Sequence, residues 1–453
     1  MDVDVQIAGT PLLWAVWHDR LEVVSFLLSV GADPQLSVPM YGNGESPLIR
    51  AAGLHHTACL QLLISHLEAQ SAPNQKLPPK PILYGPVVKL AIHTSDKFSM
   101  IIRHGAHYLE QLESTLRLLH QKTKNIRMLT VKNSYDTAIG FAASQAHDEA
   151  VEVLLKLGWG IEDINHPNRE NGRTPLLDAV RWNRHHLMQL LLRHGADPLA
   201  KAWNPFDQTK SDWSALHIFA EQAHDDSLTV VNDLLEAEHP IDGREDEDED
   251  EETETPLSVA IRRNAFHLAS HLLSQGADIN ALSTRSSLLV SSHPLTPLGH
   301  IIALNARHCL PSLRWLLSPH SAVTADTVNF VVEPTRYLTI LHLCAIVPQG
   351  LRYTSGAPLS ARDFDFETNR RIVHELLEWF GESEFLDERC GVDEKTALHL
   401  AAECGNVGVV EELVRAGADV AVRDGRGETA VEVARRVFVD DERVLRGLLE
   451  WLG

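Results

Sequence analysis

The chain has 453 residues, more than one compact hydrophobic core ordinarily serves. With 44% hydrophobic and 23% charged residues, it has the composition of a folded protein and not of a disordered one. The net charge of −22 stays acidic when the one long acidic run is left out, which argues against sequence-independent binding to nucleic acid or to anionic membranes.

The opening residues, MDVDVQIAGT, have neither the basic region nor the apolar stretch of a secretory signal. The longest apolar-rich segment, LTILHLCAIV at 338–347, carries a histidine and is far too short to span a bilayer. Five cysteines (Cys59, Cys309, Cys344, Cys390, Cys404) are scattered, odd in number and without a CxxC pair. They read as reduced thiols. The expectation is an intracellular protein, cytoplasmic, nuclear or both, with no membrane and no cofactor.

In chain order, one frame recurs: TPLLWAVWHDRLEVVSFLLSVGAD from Thr10 to Asp33, TPLLDAVRWNRHHLMQLLLRHGAD from Thr174 to Asp197, TPLSVAIRRNAFHLASHLLSQGAD from Thr255 to Asp278, and TALHLAAECGNVGVVEELVRAGAD from Thr396 to Asp419. The Thr-to-Asp spacing is the same in all four. Weaker copies begin at Ser46, after Pro86, and at Thr137, Ser214, Thr296, Thr339 and Thr429. The frame reads as a Thr-capped helix with Pro in its first turn, a second helix closed by glycine, and a connector to the next copy.

These residues resemble the ankyrin repeat, TPLHLAA followed by VVxxLLxxGAD. The resemblance implies an all-α solenoid of stacked helix-turn-helix units with β-hairpin-like finger loops, in about eleven repeats. One curved stack, and not several globular domains, is expected. Residues 1–69 hold two repeats, although VDVQIAGTPL looks like the tail of a finger with no capping repeat before it. Residues 70–86, with five prolines, form an extended connector. A degenerate repeat and a helical insert occupy 87–136, the insert standing where a finger belongs. Repeats fill 137–347, with an acidic finger insert at 244–254. A loop insertion covers 348–366, and the C-terminal repeats cover 367–453.

The sequence contains no HExxH, CxxC, GxxxxGK[ST] or GxSxG motif, so catalytic residues and an enzymatic activity are not expected. By the resemblance, His217, His342 and His399 occupy the TxLH position, where imidazoles tie neighbouring repeats. His104 with His107, His185 and His186 with His194, and Asp363, Asp365 and Glu367 are the metal-like spacings. Turn, helix and solvated-loop roles explain them without a metal.

The resemblance instead points to a concave groove lined by the residues that follow the inner-helix Ala pair. Counted from each Thr, these include Trp17, His18, Arg181, Trp182, Arg262, Arg263, Glu403 and Cys404. Tryptophan and arginine are enriched among interface hot spots. The long finger after Asp197 adds Trp203, Phe206 and Trp213. They either pack on a finger or centre a partner pocket on Trp182, Trp203 and Phe206. The expected function is a non-enzymatic, monomeric scaffold or adaptor holding another protein in this groove. The acidic run (Glu245, Asp246, Glu247, Asp248, Glu249, Asp250, Glu251, Glu252) supports an alternative, a regulator that docks a basic protein. A diverged stack that binds a small molecule or acts as an enzyme is the third reading.

Overall fold

Most of the described inner helices are two turns long, their start fixed by chemistry and their end by a turn. In the computed structural model Thr10 Oγ1 accepts from the Leu13 amide at 3.1 Å, Thr255 Oγ1 from Ser258 at 3.2 Å, and Ser46 Oγ from Ile49 at 3.3 Å. Each satisfies one of the amides a helix start leaves without a partner. Pro follows at the first helical position in these three, where no amide is needed. The outer helices end in a left-handed glycine: Gly31, Gly195, Gly276 and Gly417 have φ between 90° and 100°. The aspartate two residues on caps the next turn, as Asp33 does for the Gln35 amide at 2.8 Å.

The structure describes residues 9–37, 46–70, 87–88, 91–92, 107–122, 137–203, 213–223, 228–242, 254–281, 296–304, 310–318, 339–353, 366–380 and 385–453. They divide into two units, residues 1–203 and 204–453, and the division falls inside the long finger after Asp197. Unit 1 contains α1 (Pro11–Trp17), α2 (Leu21–Ser29), α3 (Pro47–Gly53), α4 (Thr57–Gln70), α5 (Tyr108–Lys122), α6 (Ala138–Ser144), α7 (Asp148–Lys156), α8 (Pro175–Arg181) and α9 (His185–Arg193). Helices α2, α4, α5, α7 and α9 pack in sequence as an outer row, and α1 on α3 and α6 on α8 form the inner layer.

Unit 2 contains α10 (Ala215–Glu221), α11 (Thr229–Glu236), α12 (Pro256–Arg262), α13 (Phe266–Ser274), α14 (Pro297–Leu304), α15 (Leu310–Leu316), α16 (Ile340–Tyr353), α17 (Phe366–Phe380), α18 (Ala397–Cys404), α19 (Val407–Arg415), α20 (Ala430–Val437) and α21 (Glu442–Leu452). Its even members up to α20 form one continuous inner layer. The outer helices follow, with Phe266 of α13 stacked on Trp315 of α15 at 5.6 Å. Among the described residues there is no strand; isolated antiparallel bridges join Cys390 to Lys395 and Arg423 to Thr429 at finger bases. The core is the seam between layers, where alanines such as Ala51, Ala179, Ala260 and Ala401 are fully buried and let the helices approach closely.

Three expectations change. Helix α5 is no finger insert: it stands in the outer row between α4 and α7. Tyr108, Leu112, Thr115, Leu116 and Leu119 are buried at helical spacing. Tyr108 Oη lies 3.0 Å from His147 Nε2, and Thr115 Oγ1 lies 3.0 Å from Thr57 Oγ1. The loop expected at 348–366 begins as helix, since α16 runs to Tyr353 through Pro348. Proline removes the amide that would reach the Cys344 carbonyl, and Asn369 Nδ2–H donates to that carbonyl instead at 3.1 Å. The remaining residues 354–365 lie outside the described residues. Glu254, the last residue of the expected acidic insert, is 4% exposed and belongs to the packed start of α12. Residues 71–86, 244–253 and 319–338 lie outside the described residues, and with them most of the Pro-rich connector and the whole run Glu245 to Glu252.

Candidate functional site

In unit 1 the turn that closes α8 presents Trp182. Its backbone amide donates to the Asp178 carbonyl at 3.1 Å, and its indole Nε1–H donates to the Ser144 carbonyl of α6 at 2.9 Å. The Arg181 guanidinium lies 4.9 Å from the ring centroid. The ring remains 46% exposed, a large aromatic face held at both its polar end and its backbone. Beside it Arg184 makes a two-point pair with Asp148 of α7, at 3.1 and 2.9 Å. At the corresponding end of α1, Trp17 is half-buried, with Arg50 of α3 over its ring at 4.2 Å. Trp14 flanks it at 6.2 Å and stacks on His18.

Trp203 sits elsewhere. Its amide donates to the Asn171 carbonyl at 2.9 Å, and its ring covers Gly172, where a Cβ would come within 2.7 Å of Cδ1. It packs on the preceding finger, at the opposite end of α8 from Trp182. The seven residues of α8 separate the two by about 10 Å of helix. The structure therefore does not gather them into one pocket, and Phe206 lies outside the described residues.

In unit 2 the expected anchors are mostly structural. Trp213 is 4% exposed and stacks on His217 at 5.9 Å, so it offers no surface to a partner. Arg262 is 9% exposed. Its Nε–H donates to Glu254 at 3.1 Å and its Nη2–H to Glu221 of α10 at 2.9 Å. Burial alone would lower the Arg262 pKa, but the two carboxylates outweigh it and raise it. The more exposed Arg263 also pairs with Glu221. Both arginines thus staple α12 to the repeat before it.

The TxLH histidines act as expected. His217, His342 and His399 face the Ser or Thr cap through Nδ1 and the carbonyl of a finger residue (Glu254, Glu388 and Glu428) through Nε2. Nδ1 accepts the Thr339 and Thr396 amides, which requires the neutral Nε2–H tautomer. Burial drives the His342 pKa down to about 4. Among the described residues no three of His, Cys, Asp and Glu are placed to hold a metal ion, and no helix is long and apolar enough to cross a membrane. His104, Asp363 and Asp365 lie outside the described residues.

The sequence reading missed a recurring pair. The residue just before the capping Thr faces the end of the same inner helix, eight positions on: Glu254 with Arg262, Lys395 with Glu403 at 2.7 Å, and Glu428 with Arg436 at 3.0 Å. Opposite charges at that spacing were a readable signal. In the repeat from Thr174 the same two positions are Arg173 and Arg181. Arg173 turns instead to the buried Asp178, at 2.8 Å.

Capped inner helix, glycine-closed outer helix and finger define a class: these helix pairs are ankyrin repeats. Ankyrin-repeat family models match residues 9–37 and 253–284 as the single repeat, 104–202 as ankyrin repeats (3 copies) and 384–434 as ankyrin repeats (many copies). The match from residue 104 takes in α5. Over 57 residues, 13% of this chain, the sequence is 40% identical to 2-5A-dependent ribonuclease of Homo sapiens, of whose length the chain spans 8%. The crystal structure of the human ASB11 ankyrin repeat domain is similar over 62% of this chain and 99% of that one, at 20% identity and a TM-score of 0.38.

Proposed function

We propose that this chain is a non-enzymatic scaffold that binds a protein partner on the inner-helix and turn face of unit 1, centred on Trp182 and Arg181. Ankyrin repeats are in general protein-interaction modules. The observation that carries the particular site is Trp182. Its ring is nearly half exposed, while its indole N–H and backbone are already fixed. An aromatic surface whose conformational freedom is already spent loses little entropy on binding, which is the property of an interface anchor. Trp17, stiffened by Arg50, is the secondary anchor at the other end of the unit.

Quantitative affinity purification tests this with the full chain and its Trp182→Ala variant. Trp182 is nearly half exposed where Leu176 and Leu177 are fully buried, so the variant is expected to keep a cooperative melt. Loss of a specific set of captured proteins supports the site, and an unchanged set contradicts it.

A further inference from the structure

Helix α2 carries two apolar stripes. Val24 and Leu28 are buried, as packing on α1 and α4 requires. Val23, Phe26 and the C-cap Val30 form a second stripe at spacings of three and four, and this one is open to solvent, Val23 at 47% and Phe26 at 64% exposure. On α1, Trp14 is 43% exposed. The repeat frame identifies this flank. Four positions after the capping residue, where this repeat has Trp14, four others bury Phe141, Asp178, Ile218 and Val259. Thirteen positions after it, where this repeat has Val23, the others bury Ala150, Leu187, Leu268 and Val409. Repeats of this kind pack on a preceding helix pair, α8 and α9 on α6 and α7, α18 and α19 on α16 and α17. The flank of Trp14 and Val23 therefore has the chemistry of a repeat-to-repeat contact.

We propose that this flank of α1 and α2 pairs with the same flank of a second copy of the chain, forming a closed two-fold dimer in place of the monomer expected from the sequence. Among the described residues no other helix pair gathers as many exposed large apolar side chains as Trp14, Val23, Phe26 and Val30, so the best apolar match in a second copy is the flank itself. Continuation of the array through the last repeat is disfavoured. Six positions after the capping residue, Val16, Ile261 and Ala402 are buried in repeats that a further inner helix packs on, whereas the repeat from Thr429 has the exposed Arg435 there. Charge does not oppose a two-fold pairing. Asp19 is turned to Cys59 and His56, and the exposed Arg20 and Glu22 at the start of α2 are of opposite sign, so Arg20 of one copy can meet Glu22 of the other. Such a contact is isologous and closes at two copies.

Sedimentation velocity of the full chain across a concentration series tests this. The expected result is a reversible equilibrium between monomer and dimer, with no larger species. Phe26→Glu and, separately, Val23→Glu are each expected to weaken the dimer at least about tenfold, the scale of a hot-spot change. Both variants should melt like the dilute wild type, because these side chains face solvent in a single copy. Arg435→Glu and Trp182→Ala are expected to leave the dimer unchanged, the second because Trp182 lies outside the flank. A chain that stays monomeric up to about 100 µM overturns the proposal, whether another helix or nothing covers the flank. A dimer indifferent to both Phe26→Glu and Val23→Glu overturns it too, as does a dimer lost in Arg435→Glu or assembly that grows past two copies.

Discussion

At the scale of single residues, the most consequential feature is a proton. His342 is 1% exposed and accepts the Thr339 amide through Nδ1, so a second proton there would meet an N–H. Burial accordingly lowers its pKa from 6.5 to about 4, against a raising effect of the Glu388 carbonyl. His399 is shifted in the same direction for the same reason. Because the folded pKa lies below the unfolded one, this stability is fully present above pH 6.5 and is lost as pH falls from 6.5 toward 4, where the unfolded chain binds the proton and the folded one does not. The loss for His342 is at most about 3 kcal/mol. Urea unfolding between pH 7 and 4 should therefore show a shallower pH dependence in His342→Gln than in the wild type. Parallel curves for the two proteins would refute the assignment. The histidine was legible from TxLH alone, because that motif fixes both partners of the ring.

Between elements, charge decides what apolar spacing leaves open. Arg262 bridges α12 to Glu254 and to Glu221 of α10, with Arg262 and Glu254 both buried. Arg262→Met takes from the buried Glu254 the cation it faces, while Glu221 keeps Arg263, and a cost of about 3 kcal/mol is expected. Replacing Glu254 by Met as well should recover much of it, because a buried pair exchanged for apolar groups of similar size is nearly neutral. Chemical denaturation of the single and double variants checks this, and additive losses would contradict it. The sequence hid this bridge for a simple reason. Glu254 closes a run of acidic residues and looks like the rest, and only its place one residue before Thr255 sets it apart. The outer helix α5 was hidden differently. RHGAH at 103–107 matches the sequence that closes an outer helix, so the periodic leucines after it read as an insert. The helix past residue 348 was hidden because the side-chain donor that meets the Cys344 carbonyl, Asn369, lies on the following outer helix.

For the molecule as a whole, the repeat frame carries the fold, because capping Thr, first-turn Pro and closing Gly each fix a backbone position on their own. The candidate site was only partly legible. Trp182 and Arg181 were singled out by their frame positions, but Trp213 and Arg262 share those residue types and spend them inside the stack, and Trp203 lays its ring on Gly172 of the preceding finger. Residue type cannot separate an anchor from a staple when both use indole and guanidinium groups; the separating facts are burial and partner. The central claim is that the partner is held on the inner-helix and turn face of unit 1. Hydrogen–deuterium exchange of the full chain, alone and with a purified captured partner, tests it most directly. The account predicts slowed exchange at the α6 and α8 turns, around residues 144–146 and 182–186, with unit 2 unchanged. Protection confined to unit 2, or to the fingers of unit 1, would contradict it.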